Sequence, residues 1–207
     1  MAGLGIGPEE FELFEIGDPD ERADALDSVL APKLHRVGDV LVSGLGRVVG
    51  HELVVNPVRA TRRKGVAPGE VLVAFCPCDK APQKAPCLAV GASRWHLHAR
   101  VTARPGADRD GALRRALERD AANLAKKGKP FRKLRPFMEW DGEELPEIAP
   151  AHSTAFWTEL ADELAPARTG LDVGVAWTAE EARSLAVGDV LGAFRDLAPL
   201  YKLLANA

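Results

Sequence analysis

The stretch Arg94-Trp95-His96-Leu97-His98-Ala99-Arg100, RWHLHAR, alternates cationic or titratable residues with apolar or small ones. Successive side chains of a β-strand point to opposite faces of its sheet, so this alternation predicts a strand over about residues 94–103. One face belongs to a core, and the other carries Arg94, His96, His98 and Arg100. The simplest interpretation of the second face is a solvated surface. Four such side chains also repel one another unless an anion or an acidic partner lies opposite, which makes this face a candidate site.

Shorter β-type runs surround this strand in the sequence. Three precede it, at residues 51–56, 70–75 and 86–91, and loops that contain Pro or Gly separate them. Connections this short favour antiparallel pairing, because a parallel crossover needs about a dozen residues. Two further strands are predicted at residues 137–140 and 171–177.

Helical patterns occupy both ends of the chain. Apolar residues recur at helical spacing over residues 21–45, where Pro32 is expected to break or bend the helix. Further helices are predicted over residues 110–125 and 154–164. Thr178 and Glu181 form a capping box, and Asp189 can cap a last helix. These blocks describe an α+β fold in a single domain, residues 1–207, with a largely antiparallel sheet packed against helices.

Composition and charge restrict the classes of function. The chain has 207 residues, of which 46% are hydrophobic and 28% are charged, as expected for a globular protein. A formal net charge of −3 provides no overall basic field, so nucleic acid is not an expected partner. No stretch stays free of charge over the ~18 residues of a membrane span, and the N-terminus lacks a basic start before an apolar run. A cytoplasmic protein without a membrane partner is therefore expected.

A basic loop between two predicted strands, Arg59-Ala60-Thr61-Arg62-Arg63-Lys64, offers a partner to the face described above. Arginine binds carboxylate and phosphate groups bidentately, and loops beside a rigid sheet commonly carry binding groups. If this loop folds over the face, a pocket for a small anionic molecule results. Its four arginines are Arg62, Arg63, Arg94 and Arg100. His96 and His98 are the candidate catalytic acid and base, because histidine titrates near neutral pH. A solvated basic loop is the alternative.

Three cysteines form a second candidate site. Cys76, Cys78 and Cys87 are odd in number in a chain without a secretion signal, which favours reduced thiols or metal ligation over disulfides. With His96 they supply the residue types of a Cys3His zinc site, although the first two cysteines are closer together than in common zinc knuckles. The Cys-Pro step can also offer a thiolate to haem. Small structural cysteines in a loop are the alternative.

Blocks of residues spread over nearly the whole chain match one family pattern. The N-terminal blocks are Phe11, Phe14, Ile16, Arg22, Pro32-Lys33-Leu34 and Gly38. The middle blocks are Arg62-Arg63, Pro68, Val73-Ala74-Phe75, Gly91 and His96. The closing blocks are Ala193-Phe194-Arg195, Leu197 and Leu200-Tyr201-Lys202-Leu203. In this order and spacing they resemble the YktB-like family of bacterial proteins, a domain of unknown function.

The resemblance implies an α+β fold in one domain and a bacterial cytoplasmic setting, and it implies no particular activity. Arg62, Arg63 and His96 fall on matching positions, whereas the other polar residues of RWHLHAR and the three cysteines do not. A metal or thiol function would therefore be peculiar to this chain.

Two hypotheses from different classes follow. The first is a ligand-binding protein or enzyme that holds a small anion. Binding needs only the arginines, whereas turnover also needs a positioned acid or base, and His96 and His98 are the candidates. The second is a non-catalytic interaction protein, with or without a local Cys/His site for zinc or haem.

Overall fold

A computed structural model describes residues 3–58, 68–77, 84–104, 107–108, 110–126, 132–133, 152–164 and 170–207. The helices in these ranges are α1 (Pro8–Phe11), α2 (Pro19–Ala25), α3 (Ala31–Val49), α4 (Ala112–Lys126), α5 (Thr154–Leu164), α6 (Ala179–Ser184) and α7 (Val187–Ala205). The strands are β1 (Leu53–Val58), β2 (Glu70–Pro77), β3 (Cys87–Ser93), β4 (His96–Ala103), β5 (Arg132–Lys133) and β6 (Leu171–Thr178). Helices at both ends flank the strands, so the predicted α+β class is confirmed.

The strands form one sheet in the order β1-β2-β3-β4-β6-β5, and every neighbouring pair is antiparallel. Short connections join β2 to β3 and β3 to β4, as their spacing in the sequence predicts. β4 begins at His96, because Arg94 and Trp95 form the bend after β3. The predicted strand at residues 137–140 lies outside the described residues. The central position of β4 places its side chains between those of β3 and β6.

One face of the sheet packs against α3 and α7. Its side chains occupy alternate positions along the central strands, and they share one buried apolar cluster with the helices. Phe75 of β2 meets Phe194 of α7 edge to face, with 6.0 Å between the ring centroids. α3 approaches the sheet closely at Gly38, where a Cβ would lie 2.9 Å from Cγ1 of Val73. This face, called the apolar face below, is the main core of the described structure.

The opposite face of the sheet, called the polar face below, is also buried. Its central residues are Glu70, Leu72, Ala74, Cys76, Cys87, Ala89, Gly91, Ser93, His96, His98, Arg100, Thr102, Asp172, Gly174 and Ala176. Among these, Leu72, Ala74, Cys76, Cys87 and Ala89 form a second, smaller apolar cluster. The interpretation of this face as a solvated surface is wrong, because His96, His98 and Arg100 are each 0% exposed.

The N-terminal helical run is interrupted just before Pro32, where a disturbance was predicted. A π-helical turn, Leu26–Leu30, joins α2 to α3, and Pro32 is the second residue of α3. Proline has no N–H to donate and its ring crowds the preceding turn, so a wider turn ahead of it relieves both problems. Gly50 ends α3 in the left-handed conformation, at φ 89°. The predicted helical run is thus two consecutive helices.

The caps of the C-terminal helices match the prediction only in part. The capping box is confirmed, since Thr178 accepts from the Glu181 N–H and donates its own N–H to the Glu181 carboxylate. Asp189 was expected to be the N-cap residue of α7, and that position is wrong. Ala186 is the N-cap, and Asp189 three residues later accepts from the Ala186 N–H at 2.8 Å. In the described ranges, no helix is both long and apolar enough to cross a bilayer.

Candidate functional site

The polar face brings ionisable side chains from three strands together in the protein interior. β4 contributes His96, His98 and Arg100, while β2 contributes Glu70 and β6 contributes Asp172. Glu70 is 1% exposed and Asp172 is 5% exposed, so the carboxylates are as buried as the cationic groups. These five side chains are called the polar cluster below.

Arg100 is the centre of the polar cluster. Its NH1 lies 2.7 Å from Oε1 of Glu70, and its NH2 donates to Oε2 of Glu70 at 3.0 Å. This bidentate geometry is the strongest that a guanidinium and a carboxylate adopt. On the other side, Nε of Arg100 lies 3.0 Å from Oδ1 of Asp172. One guanidinium therefore bridges two carboxylates that come from strands on either side of it.

Two histidines extend the polar cluster along β4. Nε2 of His98 lies 2.5 Å from Oε1 of Glu70, the same oxygen that pairs with Arg100. The His96 ring lies beside the His98 ring, with 5.8 Å between centroids and an interplanar angle of 65°. Because both rings are on one face of one strand, any proton that enters at one histidine changes the field at the other.

Two glycines give the large polar side chains their space. Gly91 is opposite His98 in the β3–β4 pair, and a Cβ there would lie 2.7 Å from Cε1 of His98. Gly174 is opposite Arg100 in the β4–β6 pair, where a Cβ would lie 2.7 Å from the Arg100 Cβ. A side chain at Gly91 would collide with the His98 ring and with β2. One at Gly174 would collide with the backbone of β4 at Ala99 and Arg100, so either change would force neighbouring strands apart.

Glu70 and Arg100 remain charged despite their burial. Burial by itself raises the pKa of Glu70, but the charge of Arg100 and the contact with His98 outweigh it and lower the pKa to about 2. Burial by itself lowers the pKa of Arg100, and the two carboxylates reverse that effect and raise it. These two groups therefore form an ion pair at neutral pH.

For Asp172 and His98, in contrast, burial determines the direction of the pKa shift. Burial raises the pKa of Asp172 to about 6, with the Glu70 charge adding to the increase and Arg100 opposing it. Burial and the nearby Arg100 charge lower the pKa of His98, although Glu70 opposes them. At neutral pH the His98 ring is therefore neutral and donates its Nε2 proton to the ionised Glu70. With a pKa of about 6, Asp172 is a member of the polar cluster that exchanges a proton near neutrality.

The charge balance of the polar cluster is set by that proton. With Asp172 ionised, two carboxylates surround one guanidinium and the five groups carry a net negative charge. With Asp172 protonated, Glu70 and Arg100 balance each other and Arg100 loses one charged partner. The described residues thus form a cluster whose charge changes at about pH 6.

Arg94 does not join the polar cluster. It lies in the exposed bend before β4, where Nε is 2.6 Å from Oε1 of Glu15 and NH2 donates to Oε2 at 2.8 Å. Its guanidinium also stacks over the Trp95 ring, 4.5 Å from the centroid. The prediction of one face for four polar residues fails at Arg94, because the strand starts two residues later than expected. Arg62 and Arg63 lie outside the described residues, so their part in the site stays a prediction.

Two of the three cysteines are joined to each other. Cys76 and Cys87 form a disulfide between β2 and β3, with 4.8 Å between their Cα atoms, and both are 0% exposed. This differs from the expected reduced thiols, because the hairpin register places the two residues opposite one another. Cys78 lies outside the described residues. In the described part of the chain, no three His, Cys, Asp or Glu side chains are arranged so that they could hold a metal ion. The predicted metal set stays a prediction, and it would require reduction of this disulfide.

Glu70 and Asp172 are the members of the polar cluster that the sequence interpretation missed. Each is the sole charged residue in an otherwise apolar or small strand, EVLVAFCP for Glu70 and LDVGVAWT for Asp172. The repulsion expected among the RWHLHAR residues already called for an anion or an acidic partner opposite them. A search for isolated acids inside apolar strands would have found both candidates.

These features define an α+β protein with an antiparallel sheet that packs on helices through one face and buries an arginine, two carboxylates and two histidines on the other. The chain belongs to the family described as "Domain of unknown function (DUF1054)", whose model matches residues 7–201. The resemblance to the YktB-like family is therefore confirmed.

Curated relatives agree with this assignment. A UPF0637 protein of Bacillus licheniformis is 30% identical over 98 residues, which are 47% of this chain and 46% of the relative. UPF0637 proteins of Lysinibacillus sphaericus and Staphylococcus haemolyticus are 28% and 27% identical over 90 and 97 residues. Those matches cover 44% and 47% of this chain and 42% and 48% of the relatives. The chain spans about half the length of the curated relatives it matches.

Proposed function

We propose that the chain binds a small anionic molecule at the polar face of the sheet, with Arg100 as its main partner and with Asp172, His98 and His96 exchanging a proton. The observation that carries the proposal is the position of Arg100 between Glu70, which is ionised at neutral pH, and an Asp172 whose pKa is raised to about 6. Glu70 therefore pairs with one side of the guanidinium at neutral pH, whereas protonation of Asp172 weakens the ion pair on the other side.

The proton and the anion act together in this proposal. When Asp172 is protonated, its attraction for Nε of Arg100 weakens, and a carboxylate or phosphate oxygen replaces it as the charged partner. Binding of the anion therefore takes up a proton. This refines the predicted cationic pocket, because at neutral pH the described cluster is negative and becomes receptive only as Asp172 gains its proton.

Burial supports a ligand-binding role for the polar face. Moving a charged group from water to the interior costs several kcal/mol, and apolar residues of similar volume often stabilise a core equally well or better. The apolar face of the same sheet uses only such residues at its centre. A fold that keeps five ionisable side chains on the other face therefore has a use for them beyond packing.

The proposal also includes the predicted basic loop and a location in the bacterial cytoplasm. Arg62 and Arg63 would add further positive charge around the anion, and His98, oriented by Glu70, would provide acid or base if the anion is also a substrate. We place the protein in the bacterial cytoplasm, with a small anionic molecule as its ligand and with neither nucleic acid nor a membrane as a partner.

Ligand-induced thermal stabilisation tests the proposal. Sulfate, which carries the same charge at both pH values, is titrated against the protein at about pH 5 and about pH 8, on either side of the Asp172 pKa of about 6. Stabilisation is expected to be larger at the lower pH. In Asp172→Asn, which mimics the protonated carboxyl, it is expected to be equal at both. Asp39→Asn, an exposed carboxylate paired with His35, is the matched control and should behave as the parent does.

The same titration separates the alternative, a non-catalytic interaction protein. One observation favours that alternative, because all three charge contacts of Arg100 are already made to Glu70 and Asp172. If no anion stabilises the protein at either pH, in the parent or in Asp172→Asn, the polar cluster only holds strands together and the anion-binding proposal is overturned.

A further inference from the structure

The disulfide lies on the same face as the polar cluster and close to its acidic end. In the β3–β4 pair, Cys87 is opposite Thr102 and Ala89 is opposite Arg100. Thr102 is in turn opposite Asp172 in the β4–β6 pair, and its side chain hydrogen-bonds to the Asp172 carboxylate. A change at Cys87 therefore reaches Asp172 through one intervening residue.

The sheet does not need this disulfide to pair its strands. β2 and β3 are paired at six other positions, from Glu70 opposite Ser93 to Phe75 opposite Leu88. The two cysteines are 11 residues apart in the sequence, so the bridge closes only the short connection of one hairpin. Loss of the bridge therefore leaves the fold with its main constraints in place.

Reduction would nevertheless disturb the packing around the bridge. Two thiols cannot approach as closely as two bonded sulfurs, and both sulfurs are 0% exposed in a cluster with Leu72, Ala74 and Ala89. A close-packed interior has no spare volume for them, so the separation takes the end of β3 with it. The residues opposite that end of β3 are Thr102 and Arg100.

We infer that the Cys76–Cys87 disulfide is a redox modification site, that a dithiol reductant opens it, and that its opening weakens the hold of Arg100 on the anion. The dithiol gives two electrons and two protons, becomes a disulfide itself, and leaves two cysteine thiols in place of the S–S bond. Cys76 and Cys87 lie where β2 ends and β3 begins, so the reductant gains access through local opening of that end of the hairpin. In the cytoplasmic setting proposed above, disulfides are as a rule transient and redox-sensing.

The part of this inference that concerns anion affinity rests on the proposed function, whereas the displacement of the end of β3 and its effect on the opposite residues Thr102 and Arg100 do not. The test uses the full chain with Cys78→Ser, which removes the third thiol, before and after treatment with dithiothreitol. Native-state alkylation with mass spectrometry reports whether Cys76 and Cys87 are reduced while circular dichroism reports that the protein stays folded. Amide NMR signals of Arg100, Thr102 and Asp172 report the movement, and phosphate titration reports affinity.

We expect both cysteines to become alkylated in the folded protein, the three amide signals to shift, and phosphate affinity to fall by about fivefold or more. A Cys76→Ala, Cys87→Ala variant should have equal phosphate affinity with and without dithiothreitol. Reduction that occurs only on unfolding, or amide signals that stay unchanged, would overturn the inference. Shifted signals with unchanged phosphate affinity would overturn the regulatory part. If phosphate binds in neither redox state, the proposed function fails, and the alkylation and amide shifts alone decide whether the disulfide is a redox site.

Discussion

Both faces of the central strands β2, β3 and β4 are buried, yet different forces stabilise them. On the apolar face, stabilisation is roughly proportional to the area removed from water and does not depend on direction. On the polar face, each charge has a large cost of burial that only a correctly placed partner offsets. The apolar face should therefore tolerate changes of shape, whereas the polar face should be sensitive to the loss of any one partner and to pH.

The largest effect is expected from Arg100→Met. This change leaves Glu70 and Asp172 buried without their cation, and breaking a buried pair in this way costs about 3–5 kcal/mol of the free energy of unfolding. Urea unfolding at neutral pH measures the loss. Arg94→Met is the matched control, because its partner Glu15 and the Arg94 side chain are both solvent-exposed and such pairs contribute under about 1 kcal/mol. Equal losses in the two variants would show that the buried ion pairs of Arg100 stabilise the fold no more than the exposed pair of Arg94 does.

A change on the apolar face should cost slightly less and should not depend on pH. Leu88 of β3 is 0% exposed in the main cluster, and Leu88→Ala is expected to lower the free energy of unfolding by about 3 kcal/mol through lost burial and a cavity. Unfolding curves at about pH 5 and about pH 8 should give the same loss, since no titratable group is removed. A loss that changes with pH would mean that the two faces are coupled.

The smallest expected effect is that of Asp172→Asn on the pH dependence of the free energy of unfolding, and it is specific to the polar face. Asp172 has a folded-state pKa of about 6, raised from 3.8, so the native state holds a proton that the unfolded state releases between these values. Its contribution to stability is therefore present below about pH 4 and is lost as pH rises through about 6. Asp172→Asn removes this dependence. The stability of the parent relative to that variant should fall by on the order of 2 kcal/mol across this interval.

Comparing the parent with Asp172→Asn is necessary because other groups titrate in the same interval. The lowered pKa of His98 makes its own contribution rise with pH up to its unfolded value, which opposes Asp172. The depressed pKa of Glu70 adds stability that is lost only as pH falls from 4.5 toward about 2. A difference curve between parent and variant that stays flat from pH 4 to 6 would contradict the assignment of Asp172 as the proton-exchanging group.

Local patterns predicted most elements of the fold. The alternation in RWHLHAR, the length of the loops and the spacing of apolar residues are properties of neighbouring residues, and they located β2, β3, β4, β6 and α5 within a few positions. The capping box at Thr178 was found for the same reason, since both of its residues are in one turn. The start of β4 and the position of Asp189 at α7 were misplaced, because the ends of elements depend on contacts beyond the turn itself.

The candidate site was predicted only for the part that lies within one strand. Strand periodicity is a local property, so the residue pattern was enough to predict that His96, His98 and Arg100 share a face. The burial of this face, the contacts of Glu70 and Asp172 with Arg100, and the pairing of Cys76 with Cys87 could be found only in the folded structure. These contacts follow from the order and register of β2, β3, β4 and β6, which are set by the packing of the whole sheet. Burial then changes what the same residues do, because it moves the pKa of Asp172 to about 6 and keeps His98 neutral beside an ionised Glu70.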